Sequence, residues 1–321
     1  MTTPKLLSII IVNWRVRELL HDCLQSVFRN TRLARERYEV VVVDNDSGDG
    51  SSDMVRKSFP DATLIENTTN LGFGAANNQA MAVCSGEWIL LLNPDTLVPP
   101  GAIDCMLDKM LASPRAAVLG CRLENADGSL QRWTGGAFPN IWNLLCHYFF
   151  LDRLLPAPLR PAPLYLDRDV QADLRVGWVS GACMLLRRSA VGEQVFNPRF
   201  FMYGEDMELC HRMHRAGHEV LYTPAATIRH FQGESMKKQQ GEILLSSLKG
   251  PRQFFLMTHG PGGVRLFDWI TLAGFSLRGL LYSASALVGF RRMRERAASS
   301  WQYARIVRRL MRADKTRHGD A

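Results

Sequence analysis

The sequence predicts an α/β protein: a mainly parallel central sheet flanked by helices, followed by a basic helical C-terminal region. Three observations predict it. Short apolar runs alternate with helix-length segments through the first ~120 residues. The runs are near-continuous and β-branched, as in strands covered on both faces. Several of them close on Asn or Asp, the strand ends beyond which sheets of this kind bind ligands.

In chain order, Leu6 to Val12 reads as the first strand and Arg17 to Phe28 as the helix behind it. Glu39 to Val43 is a second buried strand, closed by the polar turn Asp44-Asn45-Asp46-Ser47-Gly48-Asp49-Gly50. Ser52 to Phe59 is helical, Ala62 to Ile65 a strand, Gly74 to Val83 a helix, Trp88 to Leu92 a strand and Gly101 to Leu111 a helix. Gly120 to Asn143 carries turn chemistry and aromatics. Four prolines between Pro156 and Pro163 exclude a regular element there and predict a mobile loop or lid. Gly177 to Leu186 is a strand, Glu205 to Ala216 a helix stopped by Gly217, and Glu219 to Tyr222 a short strand leading towards His230. The expected division is an α/β domain over 1–240, in halves of about 1–120 and 121–240, and a helical region over 241–321.

A hydrophobic fraction of 46% and a charged fraction of 22% are ordinary for a soluble globular protein. The formal net charge of +8 is concentrated in the tail, where only Glu295, Asp314 and Asp320 oppose the arginines from Arg291 onward. Such a tail implies an anionic partner. Its arginines accompany no nucleic-acid recognition module, which favours a membrane or protein surface over nucleic acid. From Val264 to Phe290 the chain is apolar but broken by Arg265, Asp268 and Arg278, so a transmembrane helix is disfavoured and helices lying in a membrane interface are expected. Packing on the catalytic core, or on a second copy in a homo-oligomer, is the alternative. The seven cysteines show no CxxC pair, predicting free thiols. The N-terminal apolar run is too short for a secretory signal, so a cytoplasmic location is expected.

Five places could carry chemistry. Asp44, ending the second strand, could accept hydrogen bonds from a nucleoside; turn punctuation explains it equally. Asn70-Leu71-Gly72-Phe73-Gly74-Ala75-Ala76-Asn77 opens a helix, but Asn77 stands at the third glycine of GxGxxG and the segment follows the third strand. The dinucleotide fingerprint fails on both counts, which weakens a dehydrogenase but leaves a loop that approaches a nucleotide through Asn70 and Asn77 open. Asp95, in Asn93-Pro94-Asp95, could hold Mg²⁺ or Mn²⁺ through oxygen or could cap the following turn. Glu205 and Asp206 could be reactive carboxylates or dipole-favoured acids at a helix start. His230 could be a ligand or a satisfied core histidine.

Taken in order, SIIIVNW, VVVDNDSGDGS, NLGFGAANN, WILLLNPDT, GWVSGACMLLRR, FFMYGEDMELCHR and HFQGES resemble the inverting glycosyltransferases of family 2, which have the GT-A fold, and especially their bacterial rhamnosyltransferase-like branch. The resemblance covers most of Ser8 to Ser235. It implies that Asn13, Asp44, Asn70 and Asn77 frame the nucleotide, and that Asp95 and His230 hold a divalent cation, Mg²⁺ or Mn²⁺. Asn93 stands where the family carries a first acid, so cation binding would lean on the diphosphate. Asp206 would be the base, with Glu205, Trp178, Ser180 and Gly181 on the sugar and acceptor side. The implied donor is dTDP-rhamnose, with a UDP-sugar second. The implied acceptor is a lipid-linked saccharide or another cell-envelope glycan, reached by an enzyme peripheral on the cytoplasmic membrane surface. A non-catalytic nucleotide-sugar-binding scaffold is the competing class.

Overall fold

The structure is a computed structural model describing residues 5–132, 134–166, 170–231 and 240–319, with the side chains of 240–247 and 314–319 excepted. It divides into two compact units, Met1–Phe138 with Tyr165–Gln240, and Pro139–Leu164 with Gly241–Ala321.

The first unit begins with β1 (Leu7–Asn13), α1 (Arg17–Asn30), β2 (Tyr38–Asn45), α2 (Ser51–Ser58) and β3 (Thr63–Asn67). It continues with α3 (Phe73–Val83), β4 (Trp88–Leu92), the two-residue β5 (Thr96–Leu97), α4 (Ala102–Leu111), β6 (Ala116–Glu124) and β7 (Gly135–Gly136). Every residue of β1 and β4 is buried, as continuous apolar runs require. The helices cover them with one face each. Leu20, Cys23, Leu24 and Val27 of α1 and Ile103, Met106, Leu107 and Met110 of α4 recur at three- and four-residue intervals and are buried.

Two short helices, α5 (Ile141–Tyr148) and α6 (Leu151–Leu154), belong to the second unit. A capping box between Asn140 and Asn143 starts α5. The proline-rich stretch after them contains a single 3₁₀ turn, Ala157–Leu159. The first unit resumes with β8 (Leu174–Arg175), β9 (Trp178–Val179), β10 (Cys183–Arg187), α7 (Arg188–Val191), α8 (Glu205–Arg215) and β11 (Glu219–His230).

Among the described residues the main sheet runs β3-β2-β1-β4-β10-β6-β11-β5, with β8 also on β11. β1, β2, β3 and β4 are parallel, whereas β10 lies antiparallel between β4 and β6. The single strand expected over Gly177 to Leu186 is therefore two. The chain leaves β9, paired with β7 in a small separate sheet, turns at Ser180 to Ala182 and enters the main sheet as β10. Nor does the strand after α8 stop at Tyr222. It pairs with β6 to Thr223, slips register and resumes at Thr227, so that Pro224, which cannot donate to a ladder, falls in the irregularity. The slip carries the strand on to His230, which pairs with Thr96 of β5.

In the second unit, α9 (Gln240–Leu287) is broken at Gly260, whose φ of 69° is not helical, and α10 (Met293–Gly319) follows. The stretch Leu248–Leu287 is long and apolar enough to cross a membrane by length and composition, unlike the sequence expectation. Three of its charges, Arg252, Asp268 and Arg278, have partners within the unit. Arg252 makes two 2.9 Å bonds to Asp268, and Arg278 donates to the carbonyls of His147 and Tyr148. All seven cysteines are free thiols.

Candidate active site

Parallel pairing brings the strand ends together on one edge. Asn13 of β1 is in register with Asp44 of β2, and its Nδ2 donates to Asp44 Oδ1 at 2.8 Å and to Ser47 Oγ at 3.0 Å. Ser47 Oγ and Ser52 Oγ donate to the two oxygens of the Asp44 carboxylate. Asn13 is fully buried, and its Oδ1 has no hydrogen-bond partner among the described residues.

Asn70 and Asn77 serve the chain itself. Asn70 Oδ1 accepts from the Gly72 amide and from Asn45 Nδ2, while Asn45 Oδ1 accepts from the Leu71 amide. Asn77 Nδ2 bonds back to the Phe73 carbonyl inside α3. The loop they stiffen packs on the segment leading to α8: the Phe73 amide donates to the Phe201 carbonyl, and a Cβ on Gly72 would meet that oxygen at 2.5 Å. With φ at +83°, Gly72 is a position where only glycine fits without strain. Asn45, which organises this loop, was not singled out in the sequence. Its signal was its place in the polar turn after β2.

α8 starts from Gly204, in the left-handed region at φ 90°. Asp206 therefore sits in its first turn. Oδ1 accepts from the Met207 amide at 2.7 Å and Oδ2 from the Gly181 amide at 3.3 Å. Burial pushes the Asp206 carboxyl above the ordinary aspartate value, opposed by these amides. Glu205 is buried, and its Oε2 has no partner among the described residues. Desolvation, then the neighbouring Asp206 charge, raises its carboxyl further. Of the other residues expected on this side, Ser180 donates its amide to the Thr134 carbonyl and accepts the Ala182 amide on its Oγ. Trp178 is buried edge-on to Tyr165, its Nε1 unpartnered among the described residues.

The link between β9 and β10 joins the two halves of the site. Gly181 holds Asp206, and the next residue, Ala182, accepts the Asn93 amide at 2.9 Å. Asn93 opens the turn to Asp95. Asn93 Nδ2 lies 3.3 Å from His230 Nε2, and Asp95 Oδ1 lies 3.1 Å from the same nitrogen. The Phe231 amide, donating to the Asp95 carbonyl, locks the pair from the other strand. Asp95 and His230 are both buried. The rest of HFQGES, Gln232 to Ser235, lies outside the described residues. Among the described residues no cluster of three or more His, Cys, Asp and Glu forms. The donor set is one carboxylate and one imidazole, with an amide in place of a first acid. A carboxylate and an imidazole 3.1 Å apart are of the kind and spacing to share a cation that takes its remaining ligands from phosphate oxygens, so the residues fit Mg²⁺ or Mn²⁺.

One residue at this centre escaped the sequence reading. Gln131 is buried, and its Oε1 lies 2.6 Å from His230 Nδ1. Only the Asp127-Gly128 turn before it gave any signal.

This arrangement, an α/β sheet with acids, an amide and an imidazole gathered at its strand ends, is that of a GT-A glycosyltransferase. Residues 8–194 match the family described as glycosyl transferase family 2, and the chain belongs to that family. Over 282 residues it is 31% identical to the N-acetylglucosaminyl-diphospho-decaprenol L-rhamnosyltransferase of Mycobacterium tuberculosis, covering 84% of this chain and 91% of that one. It is 24% identical to the rhamnosyltransferase WbbL of Escherichia coli K12, over 65% of this chain and 79% of the relative. A mannosyltransferase from Pyrobaculum calidifontis, solved with GDP-mannose and Mn²⁺, shares the fold at a TM-score of 0.59 and 17% identity, over 95% of this chain and 88% of that one.

Proposed function

We propose that this glycosyltransferase moves rhamnose from dTDP-rhamnose to a hydroxyl of a lipid-linked saccharide, with inversion at the anomeric carbon. The observation that carries the reading is the β9–β10 link, where adjacent residues hold Asp206 and the turn bearing Asp95. A proton-accepting carboxylate and a cation-competent pair are thereby fixed on one strand boundary. Rhamnose and the lipid-linked acceptor rest on the named activity of the mycobacterial relative.

In this mechanism Asn13 and Asp44 bind the nucleoside, the unpartnered Oδ1 of Asn13 offering an acceptor. Asp95 and His230 would hold a divalent cation, which when bound offsets negative charge on the diphosphate. Asp206 takes the proton of the acceptor hydroxyl as its oxygen attacks the anomeric carbon from the face opposite the diphosphate. The glycosidic bond forms as the bond to the phosphate oxygen breaks, and nucleoside diphosphate leaves. The amides of Gly181 and Met207 aim the carboxylate, and its raised pKa makes it a stronger base once ionised.

The enzyme works at the cytoplasmic face of a membrane. Leu287, Val288 and Phe290 are 88%, 75% and 64% exposed, and the exposed Arg291, Arg292 and Arg294 follow them directly. Apolar side chains beside a run of cations suit an anionic bilayer surface.

The test is incorporation of labelled rhamnose from dTDP-rhamnose into polyprenyl-diphosphate N-acetylglucosamine, with UDP-glucose and UDP-galactose as competing donors. Transfer from a UDP-sugar alone would replace the donor. No transfer from any donor, with nucleotide binding retained, would favour a binding scaffold.

A further inference from the structure

We infer that Gln131 is a positioning residue that selects the tautomer of His230, leaving the nitrogen that faces Asp95 unprotonated. This rests on the reading of Asp95 and His230 as the cation-holding pair. An imidazole binds a cation through an unprotonated nitrogen, and the hydrogen bond made by the other nitrogen decides which one that is.

The surroundings of Gln131 orient its amide. Its Nε2 faces two acceptors, Asn125 Oδ1 at 3.2 Å and the His230 carbonyl at 3.5 Å. The backbone carbonyl can only accept, so the NH₂ group belongs on that side and Oε1 on the other. Oε1 lies 2.6 Å from His230 Nδ1 and accepts its proton. The lone pair then falls on Nε2, the atom 3.1 Å from Asp95 Oδ1 and 3.3 Å from the Asn93 amide nitrogen. A lone pair directed at a carboxylate oxygen is repulsive without positive charge between them, which is what a cation supplies. With the opposite tautomer, Nε2–H would hydrogen-bond Asp95 and close the site.

The position of Gln131 is itself determined. Its amide donates to the Leu123 carbonyl at 2.8 Å, directly after a turn in which the Asn125 amide bonds Ser129 and Gly128 bonds back to Asn125. Asn125 Nδ2 donates to Ser129 Oγ, which leaves Asn125 Oδ1 for Gln131. A tight turn on the strand neighbouring β11 thus presents one amide to one imidazole.

The experiment measures Mn²⁺ affinity by electron paramagnetic resonance in the presence of dTDP, together with long-range ¹H–¹⁵N spectra of the imidazoles without metal. In the unsubstituted protein His230 should show its proton on Nδ1. Gln131→Leu should weaken Mn²⁺ about ten- to hundredfold, the range for losing an outer partner of a metal-binding histidine. It should leave metal-free dTDP affinity unchanged, and Gln131→Glu, which keeps an acceptor, should restore most of the loss. A proton on Nε2 in the unsubstituted protein overturns the inference without any variant. So does unchanged Mn²⁺ affinity in Gln131→Leu, or equal loss in the Leu and Glu variants. His230→Ala separates the two levels: if it too leaves Mn²⁺ binding unchanged, the cation-holding pair itself is wrong, whereas a loss there with none in Gln131→Leu rejects only the role of Gln131.

Discussion

The Gly181 amide donates to Oδ2 of Asp206 at 3.3 Å, and a Cβ added at Gly181 would meet the Phe73 ring at 3.2 Å. The hydrogen bond orients the carboxylate from a strand end rather than from its own helix. It also ties the approach to β10 to the start of α8.

Asp206→Asn should lower transfer about 10²- to 10⁴-fold, the usual contribution of a positioned base. Nucleotide affinity should stay near that of the unsubstituted protein, because Asp206 is bonded to Gly181 and Met207 and not to the Asp44 cluster. Single-turnover transfer and dTDP titration check both halves, and normal turnover would remove Asp206 from the role.

The raised carboxyl of Asp206 sets a pH dependence. Ionisation is needed for it to accept a proton, so kcat/KM should fall as pH drops through a value above the ordinary aspartate range of about 4. A limb at or below 4 would contradict the assignment.

Glu205 should act on stability with the opposite sense. Its folded pKa is raised, so the folded state binds more protons than the unfolded chain and stability declines as pH rises from the unfolded value through the folded one. Glu205→Gln should therefore stabilise at pH 8 and lose that advantage near pH 4. Urea unfolding at the two pH values reads this, and an equal effect at both would refute it.

Asp95→Ala should abolish the Mn²⁺-dependent part of dTDP stabilisation. Saturating ligand at about a hundredfold over its Kd contributes roughly 2.7 kcal/mol, and a tenfold loss of affinity removes about half of it. Thermal melts with dTDP, with and without Mn²⁺, are sufficient. An unchanged metal increment would mean that Asp95 is a turn residue only.

Replacing Arg291, Arg292 and Arg294 together by Gln should weaken binding to phosphatidylserine-containing vesicles about a hundredfold, at roughly 1 kcal/mol for each basic residue. Co-sedimentation measures it, and vesicle binding indifferent to the three changes would redirect this surface to a protein partner.

The parallel half of the sheet was legible because β1, β2 and β4 are buried on both faces and say so in unbroken apolar runs. β6 was not, because its nine residues enter a segment dominated by turn residues and its neighbours come from far along the chain. The length of β11 was hidden by Pro224, which reads as a strand breaker until the register slip accommodates it. In the site, the meeting of Asp95 with His230 depends on the pairing of β11 with β5, which no local pattern announces. Gln131 was invisible for a related reason: a neutral amide becomes informative only once its imidazole is beside it.

Two adjacent residues, Gly181 and Ala182, grip the two ends of the chemistry through main-chain atoms alone. On the proposed roles, the spacing between proton acceptor and leaving group would be gauged by two consecutive residues of main chain. Such a jig lets mutation alter which sugar or acceptor is admitted while the reacting distance stays calibrated. An insertion between Gly181 and Ala182 should therefore lower turnover even with every reactive side chain kept.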